Sequence, residues 1–461
     1  MSSASLRPVR LLIFFFIVIS PALAHSEVFD IPPFGTVTVY NPPKAPTGVI
    51  LLASGIDGWK GPVTEIAQSL VGESRLVVGF DINEYFRGVT VPGVTGRREI
   101  CPAANFEMLG KEVQRKMNLS DFLFPVLLGY AEGGTLVFVA EAEAPTNFLG
   151  AVSLGFCPTL PISGPLCPGW GFHGKPGNDG KSETILPTLD LRYPWVVLEG
   201  TGATSCQPEA FVKRVPRGIY VEADAKNATS QVNFQVNQLL QTIHAPAANT
   251  GLADLPIFEL NGNGSGDSIL ILISGDGGWV SLDREIGNYL FGKGVSVIGF
   301  DSLRYFWKGK TPQEAARDIK RIMAYYLQAW HKKKVILAGY SMGADVLPFI
   351  VKRMHPRDLK EVSAVALIGP SSKADFQTGP LMADEEPGKA KQIFPALRNL
   401  TDLRLVCIGG SLERPPSLCE RLQEDKKMSK EIEIQFLPSG HMFQMNPIPI
   451  SDLLNQKFHL Y

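Results

Sequence analysis

The sequence predicts an α/β protein made of two tandem copies of one domain, each with a mostly parallel sheet flanked by helices. The first observation behind this prediction is an alternation of short apolar runs, such as 269–273, 295–300 and 335–338, with longer helical stretches such as 311–330. Runs that are apolar on both faces fit parallel strands covered by helices on either side.

The second observation is an internal repeat. Three segments recur in the same order, the first two at an offset of 220 residues and the third at 210: LLASGIDGW (51–59) and LILISGDGGW (270–279), VVGFDINEYF (77–86) and VIGFDSLRYF (297–306), LLGYAEGG (127–134) and LAGYSMGA (337–344). A repeat of this length indicates a duplicated globular domain and not a solenoid unit. A chain of 461 residues also exceeds what one core usually organises. An Ala-, Pro- and Gly-rich stretch at 244–256 fits a linker, so we expect domains at 25–248 and 249–461.

The N-terminus has the pattern of a secretory signal. Arg7 and Arg10 precede an apolar run at 11–19, and Ala22 and Ala24 give an A-x-A cleavage site. A run of nine residues is too short to cross a bilayer, which takes about 20. We therefore expect a signal peptide over 1–24 that is cleaved near Ala24, with an uncleaved anchor as the alternative. The charge is balanced, with 44 Lys+Arg and 45 Asp+Glu, which argues against binding of nucleic acid.

Six cysteines would meet an oxidising compartment after export, where disulfides persist. Six cysteines allow 15 pairings. We favour the pairs that close short loops, which are Cys157 with Cys167 and Cys407 with Cys419, leaving Cys101 with Cys206. The histidines are scattered and the sequence has no CxxC motif, so we expect neither a metal nor another cofactor.

The second copy contains a candidate nucleophile. In VILAGYSMGADVLPFIV (335–351), a strand-like run precedes G-Y-S-M-G and a helix-compatible run follows it, as a nucleophile elbow requires. Gly339 and Gly343 flank Ser341 because the sharp turn leaves little room for side chains. The pattern predicts Ser341 as a catalytic nucleophile, and the alternative is a serine in a structural turn.

A nucleophilic serine needs a base and an orienting acid, which in this chain order follow it. His441, in FLPSGHMF (436–443), is the candidate base because it follows the last strand-like run. Glu413 is the first carboxylate after the apolar run 403–410 and is the preferred acid, with Glu420 as the alternative.

An oxyanion intermediate needs two preorganised N–H donors. The chain order of such folds assigns them to the backbone of Met342, after the nucleophile, and of Asp276, in the glycine-rich loop SGDGGW (274–279). The alternative for this loop is a plain tight turn. In the first copy Ala131 stands in the place of Ser341, and no matching acid and histidine follow, so we expect that copy to be inert.

SGDGGW, GFDSLRYFW, GYSMGAD and the late PSGH resemble the VirJ/AcvB family of virulence-associated proteins, and the two-copy length is similar to the AcvB branch. The resemblance implies two α/β-hydrolase-like domains, the first degenerate, a periplasmic location and hydrolysis of lysyl-phosphatidylglycerol to lysine and phosphatidylglycerol. The partners would be the aminoacylated phospholipid at the membrane surface and an exported protein or secretion system.

Such a substrate carries two amino groups, which call for carboxylates near the nucleophile. The candidates are Asp301, Asp345, Asp276 and the run 384–386, although each also fits a turn, a helix end or a solvated loop. Two other functions stay open on the sequence. One is a non-catalytic binding or escort protein for secretion, and the other is an esterase for a different acyl group.

Overall fold

A computed structural model of the chain describes residues 25–72, 74–90, 99–143, 148–162, 164–167, 172–189, 191, 193–199, 206–223, 227–241, 251–378, 390–398, 400, 403–414 and 417–461. The predicted signal peptide (1–24) and the predicted boundary between 248 and 249 lie outside these residues. We call 25–241 the N-terminal unit and 251–461 the C-terminal unit. No helix in the described ranges is long and apolar enough to cross a membrane.

The N-terminal unit has eleven strands and six helices among its described residues. Its strands are β1 (His25–Ile31), β2 (Gly35–Asn41), β3 (Gly48–Ala53), β4 (Arg75–Phe80), β5 (Val126–Tyr130), β6 (Ala151–Leu154), β7 (Thr159–Leu160), β8 (His173–Pro176), β9 (Glu183–Leu186), β10 (Trp195–Glu199) and β11 (Gly218–Glu222). Its helices are α1 (Pro62–Val71), α2 (Ile82–Val89), α3 (Pro102–Lys116), α4 (Glu132–Glu143), α5 (Pro208–Val212) and α6 (Ala228–Leu240).

The C-terminal unit continues the alternation of strands and helices. Its strands are β12 (Ile257–Leu260), β13 (Ser268–Ile273), β14 (Ser296–Phe300), β15 (Lys334–Tyr340), β16 (Val362–Ile368), β17 (Lys373–Ala374), β18 (Lys391–Gln392), β19 (Leu405–Gly410) and β20 (Ile432–Leu437). Its helices are α7 (Ser281–Gly292), α8 (Ser302–Tyr305), α9 (Pro312–Ala329), α10 (Met342–Arg353), α11 (Pro356–Leu359), α12 (Ile393–Leu397), α13 (Leu418–Glu424), α14 (Met428–Glu431) and α15 (Pro447–Phe458), with a 3₁₀ turn at Phe443–Met445.

The two units have main sheets with the same strand order. The N-terminal sheet runs β1-β2-β4-β3-β5-β6-β10-β11, and the C-terminal sheet runs β12-β14-β13-β15-β16-β19-β20. The pairing is parallel from β4 onward in the N-terminal sheet and from β14 onward in the C-terminal sheet. The pairs β1–β2, β2–β4 and β12–β14 are antiparallel. Helices cover the mostly parallel sheets, so the predicted α/β-hydrolase-like fold class is confirmed.

Both faces of the C-terminal sheet are buried, as its apolar runs predict. In β13, Ile269, Ile271 and Ile273 pack into one core cluster, and the alternating residues Leu270 and Leu272 pack into another on the opposite face. Side chains of a strand alternate between faces, so a run of five apolar residues supplies two cores at once. The N-terminal sheet is buried in the same way, between two clusters of its own.

The repeated Trp, Gly and Asp residues form one packing motif that occurs in both units. A Cβ added at Gly299 would lie 2.3 Å from the Trp279 ring, and one added at Gly79 would lie 1.9 Å from the Trp59 ring. Each tryptophan therefore lies flat on a strand glycine that has no side chain to displace it. This packing explains why these residues recur at a constant offset, independently of any chemistry at the nucleophile position.

The cysteine pairing differs from the prediction in two of three disulfides. Cys407–Cys419 is present as predicted, but the other two are Cys101–Cys167 and Cys157–Cys206. Strand topology explains the difference. The amide of Cys167 donates to Ile100 at 2.8 Å, which places Cys167 beside Cys101. Cys157 follows β6 and Cys206 follows β10, which are neighbouring strands.

The glycine beneath Trp279 gives a test of this packing. We expect Gly299→Ala to lower the free energy of unfolding by about 1–3 kcal/mol, because the added methyl group overlaps the indole ring. Gly292→Ala is the matched control, since a Cβ there meets nothing within 4 Å and alanine favours the helix. Urea unfolding followed by circular dichroism compares them, and equal midpoints for the two variants would contradict the packing argument.

Candidate active site

Ser341 lies in a strained turn between β15 and α10. Its backbone has φ 50° and ψ −118°, and its amide donates to the carbonyl of Ile368 at 2.9 Å. A positive φ is costly for a residue with a side chain, so the surrounding structure must hold it. The two flanking glycines allow the close approach that does so. A Cβ on Gly343 would lie 2.1 Å from the Ile273 oxygen, and one on Gly339 would lie 2.3 Å from the Gly343 carbonyl carbon.

His441 is held over the end of the sheet by contacts on both sides of its ring. The Tyr340 hydroxyl donates to the His441 carbonyl at 3.2 Å, and the two rings stack with centroids 5.7 Å apart. On another side, a Cβ on Gly369 would lie 3.3 Å from the imidazole, and Gly369 has φ 59°. The ring is thereby oriented with Nε2 at 3.0 Å from Ser341 Oγ.

Glu413 is the acid that contacts His441. Its Oε1 lies 2.6 Å from His441 Nδ1. The two loops are joined by a further bond, from the Leu412 amide to the Ser439 carbonyl at 2.9 Å. Glu420, the alternative acid, lies instead in α13. Since Ser341 and Glu413 occupy the two ring nitrogens of His441, the structure brings together the three side chains predicted as nucleophile, base and acid.

The hydrogen bond from Glu413 raises the pKa of His441 above its ordinary value, while partial burial acts in the opposite direction. A carboxylate at Nδ1 favours the tautomer with its proton on Nδ1. Nε2 is then free to accept the Ser341 hydroxyl proton. Glu413 thus stabilises the protonated form of His441, which is the base for the Ser341 hydroxyl.

The predicted oxyanion donors lie on either side of Ser341. In the described part of the chain, neither the Asp276 amide nor the Met342 amide donates to another protein atom. The loop is close to the serine, because a Cβ on Gly275 would lie 3.5 Å from the Ser341 Cβ. Its shape is set by the Gly275 amide, which donates to Asp283 Oδ1 at 3.2 Å. Two donors near one hydroxyl suit a tetrahedral oxyanion.

The N-terminal unit shows the same turn without the chemistry. Ala131 has φ 51°, almost the value of Ser341. The amide of Ile56, which corresponds to Asp276 in the repeat, donates to Glu132 Oε2 at 3.1 Å. Glu132 itself corresponds to Met342. In this unit a carboxylate oxygen therefore takes the acceptor position beside the elbow that an oxyanion would take in the C-terminal unit.

The two aspartates predicted to bind substrate are both buried. Asp301 is fully buried, and its Oδ1 accepts from the Arg304 amide at 3.1 Å at the start of α8. A carboxylate without exposed surface does not reach a substrate, so this assignment is wrong for Asp301. Its role is that of a helix cap beneath the glycine turn. The sequence could not reveal this because a cap and a ligand have the same residue type.

Asp345 lies one helical turn after Ser341 and is also largely buried. It accepts from the amide and the hydroxyl of Ser371 at 2.7 and 2.8 Å. Burial raises its pKa to about 7, against the lowering effect of the Ser371 bonds and of His441. Both of its oxygens are thus engaged within the protein, and no sequence motif had singled out Ser371 as their partner.

Asp276 carries an exposed carboxylate on the loop beside Ser341. Its side chain is exposed and has no cationic partner among the described residues. Its charge adds to the Glu413 hydrogen bond in raising the pKa of His441. The candidate run 384–386 lies outside the described residues.

The His441–Glu413 bond predicts a specific pH dependence. We expect esterase activity to fall on acidification with an apparent pKa above 6.5, because protonated His441 cannot accept the serine proton. Glu413→Gln removes the charge that stabilises imidazolium, so the acid limb should move to lower pH while kcat falls by roughly three to four orders of magnitude. Profiles of kcat/KM from about pH 5 to about pH 9 measure both effects.

Glu420→Gln is the matched control for this prediction, since Glu420 follows the same strand but lies in α13. It should leave both kcat and the acid limb unchanged. An acid limb that stays in place in Glu413→Gln would contradict the role of this carboxylate.

Comparisons with solved structures find several esterases and hydrolases. Similar structures include the naproxen esterase of Bacillus subtilis, at 12% identity over 44% of this chain and 86% of that chain, with a TM-score of 0.32. Another is Est1E from Butyrivibrio proteoclasticus, at 12% identity over 44% and 91% of the two chains, with a TM-score of 0.32. A third is a putative dienelactone hydrolase from Klebsiella pneumoniae, at 16% identity over 48% and 99%, with a TM-score of 0.33. The fold assignment itself rests on the strand order and pairing described above.

No curated protein matches the sequence. The family model described as "Bacterial virulence protein (VirJ)" matches residues 267–460, which contain Ser341, Glu413 and His441. The C-terminal unit of the chain is therefore similar to the VirJ family over these residues.

Proposed function

We propose that this protein is a serine carboxylic-ester hydrolase of the periplasm that cleaves the aminoacyl ester of lysyl-phosphatidylglycerol. The observation that carries the proposal is the continuous hydrogen-bonded chain from Ser341 Oγ to His441 at 3.0 Å and on to Glu413 at 2.6 Å. A nucleophile, a base and an orienting acid in this geometry perform acyl transfer. The match of residues 267–460 to the VirJ family model is consistent with it.

The reaction takes two steps in this geometry. Ser341 Oγ attacks the lysyl carbonyl carbon as its proton passes to His441 Nε2, and the Met342 and Asp276 amides donate to the resulting oxyanion. The carbonyl re-forms, the bond to the glycerol oxygen breaks, and His441 returns the proton to that oxygen, which releases phosphatidylglycerol. Water then attacks the lysyl-enzyme by the same route, and lysine leaves with Ser341 restored.

The cationic acyl group of the proposed substrate has a matching charge in the site. Asp276 presents an exposed carboxylate on the loop beside Ser341, without a cationic partner in the described ranges. A lysyl ester carries two ammonium groups near its carbonyl, and charge-assisted hydrogen bonds to a carboxylate are among the stronger ones. In the N-terminal unit the corresponding residue is Ile56, and the aspartate of that loop, Asp57, stands one position later.

The proposed location rests on the chain's export signal pattern and on its cysteines. All six cysteines are paired in disulfides. Disulfides of this number are typical of oxidising compartments and rare in the cytosol. The residues of the predicted signal peptide, with Arg7 and Arg10 before the apolar run 11–19, are consistent with transfer across the inner membrane.

Replacing the nucleophile tests the reaction. We expect Ser341→Ala in the full-length chain to lower lysine release from lysyl-phosphatidylglycerol by roughly four to six orders of magnitude, to background, and to abolish labelling by a fluorophosphonate. Ser363→Ala is the control, because Ser363 is an exposed serine in the adjacent strand β16. Lysine release by Ser341→Ala at the rate of the unaltered protein would contradict the mechanism. An unaltered protein that neither labels nor hydrolyses any ester would favour a binding or escort function.

Asp276→Asn tests the choice of acyl group. This change removes the charge but keeps the backbone amide, so we expect kcat/KM for lysyl esters to fall by roughly 10- to 100-fold, with little change for a neutral acyl ester. Paired measurements on lysyl and acetyl esters of the same alcohol give the ratio. Equal losses on both esters would assign Asp276 to the oxyanion loop alone and would contradict its role toward the ammonium groups.

A further inference from the structure

We propose that the N-terminal unit acts as a positioning element for the active site, through Lys111, whose ammonium group holds the oxyanion loop of the C-terminal unit. This inference rests on the proposed serine-hydrolase function. It assigns a role to a unit that has no nucleophile of its own and names the residue through which that unit acts.

Lys111 projects from α3 of the N-terminal unit toward the C-terminal unit. Its side chain is only 6% exposed. Its Nζ lies 2.5 Å from Glu107 Oε1 and 3.4 Å from the backbone oxygen of Asp276. A buried ammonium group must have hydrogen-bond acceptors, and it has three N–H donors to place. One of its acceptors is therefore the carbonyl of the residue whose amide is the predicted oxyanion donor.

Holding this carbonyl restricts the direction of the amide. The Asp276 carbonyl and the Asp276 amide belong to the two peptide planes that meet at one Cα. The neighbours on either side are Gly275 and Gly277, which restrict the backbone less than any other residue type. The hydrogen bond from Lys111 to the Asp276 carbonyl therefore restricts rotation of the peptide plane that follows Asp276. The side chains of the loop do not provide this restriction, because both neighbours of Asp276 are glycines.

The N-terminal unit has a hydrogen bond on this loop that the C-terminal unit does not have. There the corresponding amide, of Ile56, is held by the carboxylate of Glu132. In the C-terminal unit Met342 stands in place of Glu132 and offers no carboxylate. Catalysis requires this absence, because an acceptor from the protein would occupy the position of the oxyanion. The Lys111 contact holds the loop from its carbonyl side and leaves the amide free.

The contact is supported by a packed surface between the units. Trp307, which is 2% exposed, donates from Nε1 to the Leu119 oxygen at 3.0 Å. Its ring lies 4.1 Å from the guanidinium carbon of Arg115 and 5.2 Å from the ring of Phe122. Lys308 Nζ also donates to Asn118 Oδ1 at 2.7 Å.

These anchors lie in α3 and the chain that follows it, so they fix the helix that carries Lys111. In the C-terminal unit Leu303 packs against Trp307. At the corresponding positions the N-terminal unit has Asn83 in place of Leu303 and Arg87 in place of Trp307. The surface that receives α3 thus belongs to the C-terminal unit alone. It begins in α8, directly after the strand that lies beside the oxyanion loop.

Lys111→Met in the full-length chain tests the inference. We expect kcat on a p-nitrophenyl ester to fall by about 10- to 100-fold with KM within about twofold, which is less than the loss of an oxyanion donor itself. Lys111→Arg keeps a donor and should recover most of kcat. The affinity for a trifluoromethyl ketone that forms a hemiketal oxyanion with Ser341 should fall in parallel with kcat/KM, as a merely structural change would not require.

Lys116→Met is the matched control, because Lys116 lies on the same helix and is far more exposed. It should leave kcat and hemiketal affinity unchanged. Should Lys111→Met fold poorly, Glu107→Gln provides a second variant, because it weakens the ion pair that orients Lys111. Its kcat and hemiketal affinity should fall together, and unchanged values of both would count against the positioning role.

The outcomes separate this inference from the proposed function. Full activity and unchanged hemiketal affinity in Lys111→Met, with Ser341→Ala inactive, would overturn the positioning role and leave the hydrolase intact. Failure of Lys111→Arg to recover kcat would also count against a hydrogen-bonding role. An unaltered protein without esterase activity or fluorophosphonate labelling would overturn both proposals together.

Discussion

The close approach of backbone at the end of β15 is the constraint on which the rest of the site depends. Gly343 lies so near the Ile273 carbonyl that a methyl group would come within 2.1 Å of it, and Ser341 is held at φ 50°. This geometry directs the hydroxyl out of the sheet and sets the first turn of α10 behind it. The histidine and acid loops then meet the hydroxyl because β19 and β20 are successive neighbours in the same sheet.

The same constraint persists without the hydroxyl. Ala131 adopts φ 51°, and the Trp59–Gly79 packing repeats that of Trp279 and Gly299. The two units share the features that the fold needs, which are the turn glycines and the tryptophan on the strand glycine. They do not share the groups that only chemistry needs. Glu132 marks the divergence, because its carboxylate accepts from Ile56 at the place where the other unit keeps two amides free.

The parts of the site that short local motifs encode could be predicted from the sequence. The elbow at Ser341, the late His441 and the fold class all follow from short motifs and from apolar periodicity, which do not depend on distant contacts. Glu413 was preferred to Glu420 on position along the chain, and the structure places Glu413 against His441. The repeat located the glycine-rich loop, although it could not separate its structural role from a catalytic one.

Features that depend on distant segments were beyond that reasoning. The pairs Cys101–Cys167 and Cys157–Cys206 follow from strand neighbours and not from sequence distance, so the preference for short loops was wrong for both. Asp301 has the composition of a ligand but is a buried cap. Lys111 stands 165 residues from Asp276, and no motif surrounds it.

The contact between the units gives a physical role to the N-terminal unit, which has Ala131 in place of a nucleophile. In the oxyanion loop the Gly275 amide bonds to Asp283 of the same unit, but the Asp276 amide must stay free for an oxyanion and cannot help to hold the loop. A contact on the Asp276 carbonyl adds support without using that amide. Burial of Lys111 against Asp276, beside the packed Trp307 and Arg115, provides such support from a separate core. Removing the N-terminal unit would thus expose Trp307 and take the Lys111 contact away from the loop, so packing and the oxyanion loop both depend on that unit.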